Sequence, residues 1–134
     1  MAFRIAWDDD AKTVIRYVAE GNWSWKDLHG HVRLSTFALD RLDHPVESIL
    51  DLSQSARMPA GAVGHLRSLG KQDHPNRRPR IIVIGVDREI QQQLGAVDGI
   101  YQTREQLIHF VNNDAEAQAV LTAWRRQDAS QPGP

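Results

Sequence analysis

Residues 81–86 read Ile-Ile-Val-Ile-Gly-Val, and this stretch decides the fold. Four branched apolar side chains in succession leave no polar face. A strand of a half-solvated antiparallel sheet alternates, whereas a continuous apolar run is covered on both faces, as in a parallel sheet flanked by helices. The segment before it, Gln72 to Arg80 (QDHPNRRPR), carries two prolines and reads as a turn. Two further runs of the same kind lie outward from it. Val46 to Leu52 (VESILDL) precedes it and Leu107 to Val111 (LIHFV) follows it.

The segments between these runs carry helical spacing. Leu28, Val32, Ser35, Leu39 and Leu42 recur at steps of four and three, which makes one buried stripe. Ser24 stands at the cap of that helix, Asp27 stands at the return position of a capping box, and Asp43-His44-Pro45 stops it. Ala60 to Lys71 predicts a second helix, with Val63, Leu66 and either Leu69 or Gly70 facing inward. Asp87 caps a third, with Ile90, Leu94, Val97 and Tyr101 on one face. Asn113 or Asp114 caps a fourth, with Ala117, Val120, Leu121 and Trp124 on its apolar face. At the other end, Phe3–Trp7 and Thr13–Ala19 read as strands joined across the acidic turn 8–12, an antiparallel hairpin.

The order is therefore β-β-α-β-α-β-α-β-α. It predicts a single α/β domain with a mixed, mostly parallel sheet of about five strands and four helices, joined by right-handed crossovers. The domain is expected to span residues 1–127, with 128–134 a polar, disordered tail. Ser53 to Pro59 is expected to be a polar loop.

The composition narrows the chemistry. At 134 residues the chain fits one domain, and 41% hydrophobic with 25% charged residues is ordinary for a globular protein. With no cysteine there are no disulfides, thiolate metal sites or cysteine nucleophiles, which suits a reducing cytoplasm. A formal net charge of −1 argues against a nucleic-acid binder. No apolar run approaches the roughly 20 residues of a spanning helix. The N-terminal MAFRIAWDDD lacks the layout of a signal peptide, so a cytoplasmic location is expected.

Ser48-Ile49-Leu50-Asp51-Leu52-Ser53, an apolar strand leading into a helix start of small residues, resembles the STAS family. That family contains the bacterial anti-sigma factor antagonists and the cytoplasmic domains of sulfate transporters. Trp23-Ser24-Trp25 and the long first helix resemble a divergent STAS-like branch. The topology matches over nearly the whole chain and the motif over about twenty residues. The family's strand ends in Asp-Leu-Ser and its helix opens with Asp-Ser-Ser-Gly. Here that quartet falls on Pro59-Ala60-Gly61-Ala62, so Ala60 stands where the family carries its phosphorylatable hydroxyl. The resemblance implies a non-catalytic regulatory module that binds a protein, with a kinase-type anti-sigma factor as the expected partner. Ser53, Ser55, Arg57, Pro59, Ala60 and Gly61 would form the contact, and Ser53 or Ser55 would be a displaced phosphosite. The alternative is a small-molecule or lipid-binding module of Sec14-like character, which needs an apolar cavity between helices and sheet.

The remaining candidates are weaker. His29 and His31 are two residues apart and point to different faces of a helix, so no metal site is expected from the six histidines, and no cofactor is expected either. Ser53, His65 and Asp51 are the right types for a hydrolase, but no Gly-x-Ser-x-Gly is present, and no enzyme is expected. Gly61 to Gly64 is read as small residues that let a helix approach the sheet. Arg77, Arg78 and Arg80 are read as a solvated turn. Of Trp23 and Trp25, one is expected in the core and one as a contact across the helix start. The N-terminal hairpin presents a sheet edge on which two copies could pair.

Overall fold

A computed structural model describes residues 2–130. The elements are β1 (Phe3–Trp7), β2 (Val14–Gly21), α1 (Trp25–Leu39), β3 (Val46–Ser55), α2 (Ala62–Leu66), β4 (Arg77–Ile84), α3 (Arg88–Leu94), β5 (Ile100–Gln102), β6 (Leu107–Val111) and α4 (Asp114–Ser130). They build one α/β domain around a six-stranded sheet in the order β1-β2-β3-β4-β6-β5. β2, β3, β4 and β6 run parallel, and β1 and β5 add antiparallel edges.

The alternation of β4 divides the core. Ile81 and Val83 join Tyr17, Leu50 and Phe110 beneath α1, α2 and α3. Ile82 and Ile84 join Ile49 and Val111 beneath Ala117, Leu121 and Trp124 of α4. The apolar run at 81–84 is thus covered from both sides. The α1 stripe also faces the sheet, with Leu28, Ser35 and Leu39 buried. Ser24 caps α1, its hydroxyl accepting a hydrogen bond from the Asp27 amide at 3.1 Å. Asn113 caps α4 by accepting from the Glu116 amide at 2.9 Å. Among the described residues no helix is long and apolar enough to cross a membrane.

Several boundaries differ from the sequence reading. α3 stops at Gly95, whose φ of +99° closes the helix. Asp98 and Gly99, with φ of +52° and +78°, then form a two-residue hairpin turn. Val97 and Ile100 exchange both backbone bonds across it, at 2.9 and 3.0 Å. This turn launches β5, the strand absent from the expected order. β3 runs on to Ser55 because Gln54 and Ser55 pair with Glu20 and Gly21 of β2. The expected loop therefore begins only after Ser55.

β4 begins at Arg77 rather than Ile81. The irregular register between Val46 and Ser48 accommodates the segment holding Pro79. The expected second helix is the single turn α2 followed by looser turns to Lys71. There Gly70 lies so near β6 that a side chain would meet the Leu107 carbonyl oxygen at 2.9 Å. α4 continues to Ser130, so residues 128–130 are helical where a tail was expected. The remainder of that tail, 131–134, lies outside the described residues.

Candidate functional site

The residues expected to contact a partner lie together at the C-terminal ends of the parallel strands. Ser53 and Ser55 belong to the end of β3, and Arg57, Pro59, Ala60 and Gly61 form the connection to α2. Two indoles hold this segment. Trp23 donates its N–H to Ser55 Oγ at 2.6 Å. Trp25, the first residue of α1, donates to the Ala60 carbonyl oxygen at 2.9 Å and shares the proton with Pro59 O at 3.3 Å. The two rings meet edge to face, 4.7 Å between centroids, and Trp23 meets Phe3 in the same way at 5.2 Å. Both tryptophans are buried, which corrects the expectation that one would merely span the helix start. Outside this anchorage Arg57, Ala60 and Gly61 are exposed. Gly61 has a φ of +85° as the chain enters α2, a conformation that penalises any side chain.

His65 of α2 stacks on Trp25, with centroids 4.8 Å apart and planes 8° from parallel. Its Nδ1 lies 2.9 Å from Nε2 of His29 on α1. One ring donates and the other accepts, so the bond survives only while one of the two is neutral. Burial, then the neighbouring His65 and Arg33, hold the His29 imidazole below its ordinary value of 6.5. Burial alone lowers His109 in the same direction. The unfolded chain therefore takes up these protons at a higher pH than the folded chain does. Their contribution to stability is complete above about pH 6.5 and is lost as pH falls through the folded values. Melting temperature should drop between pH 7.5 and pH 5, and His29→Asn should flatten that dependence. An unchanged slope in the variant would remove His29 as its origin.

His109 lies elsewhere, lining an open cleft between α3, β6 and α4. Among the described residues no group of three or more His, Asp or Glu side chains could hold a metal ion. Asp51 and Ser53 lie on the face of β3 opposite the buried Leu50 and Leu52 that share a core with the α1 side. Ser53 Oγ donates to Asp51 Oδ1 at 2.6 Å, and the Ser53 amide donates to the same oxygen at 3.0 Å. His65 packs against α1, so Ser53, His65 and Asp51 form no relay.

Asp51 belongs instead to a charge cluster around Arg16 of β2. Arg16 binds Asp8 at 2.8 Å, Asp51 at 2.9 Å and Asp114 of α4 at 2.5 Å. Burial would raise the Asp51 carboxyl, but hydrogen bonds from Ser53 and Arg16 outweigh it and hold the group below the usual range. The hydrogen bonds Arg16 donates to Asp8, with support from Asp114, raise Arg16 against the opposing effect of burial. Ser53 and Ser55 thus both have engaged hydroxyls. A phosphate on Ser53 would face the Asp51 carboxylate, and one on Ser55 would displace the Trp23 indole.

The three arginines of the expected solvated turn are mostly enclosed, because the turn is the first part of β4. Arg77 is 6% exposed. Its Nη2 donates to Tyr17 Oη at 2.8 Å and Ser35 Oγ at 2.6 Å, and its Nη1 pairs with Asp73. Arg80 pairs with Glu47, binds Asp128 at 2.9 Å and lies 4.5 Å over the Trp124 ring. Arg78 is further out, 3.7 Å from Glu47. Only one of the three resembles a surface charge.

A cavity of about 150 Å³ lies between α1, the turns after α2 and the sheet, lined by Tyr17, Ser48, Leu50 and Arg77 among others. Ser48 Oγ has no hydrogen-bond partner although the residue is 2% exposed. An unmade bond of this kind costs about 1–3 kcal/mol. On the outer side of α1, Leu34 and Phe37 are 60% and 69% exposed. They sit between shallow grooves that also hold Lys26, Arg33 and Arg41. The sequence reading passed over this pair, although two large apolar residues off the buried stripe were the available signal.

A scan against models of known protein families matches none of them, and a search of curated proteins returns no similar sequence.

Proposed function

We propose that the protein is a non-catalytic binding module of STAS-like character that captures a protein partner through the Ser53–Gly61 edge. The observation that carries this reading is the double indole anchorage. Trp23 and Trp25 hold the backbone from Ser55 to Ala60 while Arg57, Ala60 and Gly61 stay exposed. A loop fixed before contact loses little entropy on binding. The groove beside it, lined by Ala56, Arg57, Gly85, Asp87 and Ile90, offers both a cation and a carboxylate to a partner. The exposed Leu34 and Phe37 support a protein partner as well, since a small ligand would leave them in water.

The resemblance at Ser48–Ser53 directs the choice of partner to a kinase-type anti-sigma factor. Ala60 then gives a contact without a phosphorylation switch at that position. A lipid-binding module is less well supported. The space between α1 and the sheet is about 150 Å³, below the roughly 300 Å³ at which ordinary ligand pockets begin.

Ala60→Arg tests the reading. Ala60 is exposed, so the variant should keep the wild-type melting temperature, whereas an arginine at Gly61 would strain a φ of +85°. Calorimetric titration with kinase-type anti-sigma factors of the same genome should show binding by the wild type. Ala60→Arg should weaken it at least tenfold. Absence of binding to every such protein, or equal binding by the variant, sinks the proposal.

A further inference from the structure

The cavity beneath α1 combines two properties that packing alone does not account for. Its surface is mainly apolar, from Leu28, Val32, Leu50, Leu69 and Ile81, with His29, Ser68, Lys71, Asp73 and Arg77 also lining it. Into it is set one unpaired hydroxyl, that of Ser48, in the middle of β3 between Ile15 of β2 and Ile81 of β4. A volume of about 150 Å³ has room for about five waters or one molecule the size of benzene. Water against the aliphatic wall finds no polar partner there, so that wall is better covered by an apolar surface.

The charged groups at this site are already answered. Asp73 neutralises Arg77, Tyr17 and Ser35 accept from its Nη2, and Lys71 lies 3.7 Å from Glu105. Tyr17 Oη and Ser35 Oγ are 2.7 Å apart, and Ser35 in turn donates to the Val32 carbonyl oxygen at 2.6 Å. Among the described residues the buried side-chain atom left without a partner is Ser48 Oγ, which asks for one neutral hydrogen bond. We propose that this cavity binds a small neutral molecule, apolar over most of its surface and carrying one hydrogen-bonding oxygen, with phenol as its simplest representative. The site shares no lining residue with the Ser53–Gly61 edge and does not depend on the partner reading.

Three probes of one size test this on the full chain: phenol, benzene and benzoate. Titration followed by methyl NMR should give saturable shifts with phenol, confined to Leu28, Val32, Leu50, Leu69 and Ile81. Phenol should bind more tightly than benzene, which lacks the oxygen, and more tightly than benzoate at pH 7, which brings an unanswered charge. Ser48→Ala should weaken phenol about three- to tenfold, the worth of one neutral hydrogen bond, and leave benzene unchanged. Failure of phenol to shift these methyls would mean a water-filled cavity and overturn the proposal. So would tighter binding of benzoate, or equal effects of Ser48→Ala on phenol and benzene. If Ser48→Ala does not fold, the ranking of the three probes on the wild type decides by itself.

Discussion

Trp25→Ala should lower the unfolding free energy by about 3–5 kcal/mol, the range for deleting a buried tryptophan side chain. Trp25 is buried against Trp23 on one side and His65 on the other, so its removal empties the junction of α1, α2 and the β3 connection. The more informative variant is Trp25→Phe. It keeps an aromatic ring between Trp23 and His65 but deletes the N–H that reaches Ala60 and Pro59. The stability loss should then be near 1–2 kcal/mol, from a smaller ring and a lost hydrogen bond. Amide exchange from Ala56 to Gly64 should accelerate well beyond that of the α4 core, because the segment loses its tether. Chemical denaturation and hydrogen exchange measure the two effects separately. Equal protection of that segment in Trp25→Phe and wild type would show that the indole does not hold it.

Ser35→Ala should be nearly as damaging, although only one oxygen is removed. Ser35 Oγ accepts from Arg77 and from Tyr17, while donating to Val32. Without it a buried guanidinium loses an acceptor and the tyrosine loses the target of its proton. A hydrogen bond to a charged group is worth about 1.5–3 kcal/mol and an orphaned buried donor adds to this, so a loss of about 2–4 kcal/mol is expected. Burial raises the Tyr17 phenol, so it stays protonated and needs that target throughout the neutral range. Arg77→Met should cost less, about 1 kcal/mol. It removes a buried charge together with its demands, leaves Tyr17 and Ser35 bonded to each other, and frees a half-exposed Asp73 to rehydrate. In Ser35→Ala/Arg77→Met the losses should not add. A double-mutant cycle by urea denaturation checks this, and a costlier Arg77→Met would reverse the account.

The parts of the fold legible in the chain are those set by neighbours in sequence. The run at 81–84 announces burial on both faces because strand side chains alternate. Ser24 announces a helix start because a cap reaches only three residues. Local patterns also misled. Ile90, Leu94, Val97 and Tyr101 keep helical spacing across a break that Gly95 and the turn pair Asp98-Gly99 impose. The turn chemistry outweighs the periodicity, since positive φ at adjacent positions cannot continue a helix.

The candidate site was legible only as a list of residues. Arg77 reads as a solvated cation because its partners Ser35 and Tyr17 lie 42 and 60 residues away. Trp25 meets Ala60 across 35 residues and His29 meets His65 across 36. Contacts of that separation depend on strand order, which the chain states only in outline. Ser48 is the clearest instance. Within VESILDL it is one of three polar residues, beside Glu47 and Asp51, and only the assembled helices make its hydroxyl an unpaired one.

The position of α4 has a consequence for how the molecule comes to be made. Among the described residues this helix is the only element over Ile49, Ile82 and Ile84, and it follows all six strands in the chain. The sheet is therefore assembled with one greasy side bare, and remains so until residues 114–130 swing back across it. Arg16 and Arg80 stand on that side and receive Asp114 and Asp128, one at each end of the helix. These two pairs form only once the helix has closed. During synthesis, the interval before that step is when the chain is most prone to stick to its neighbours or to need a chaperone.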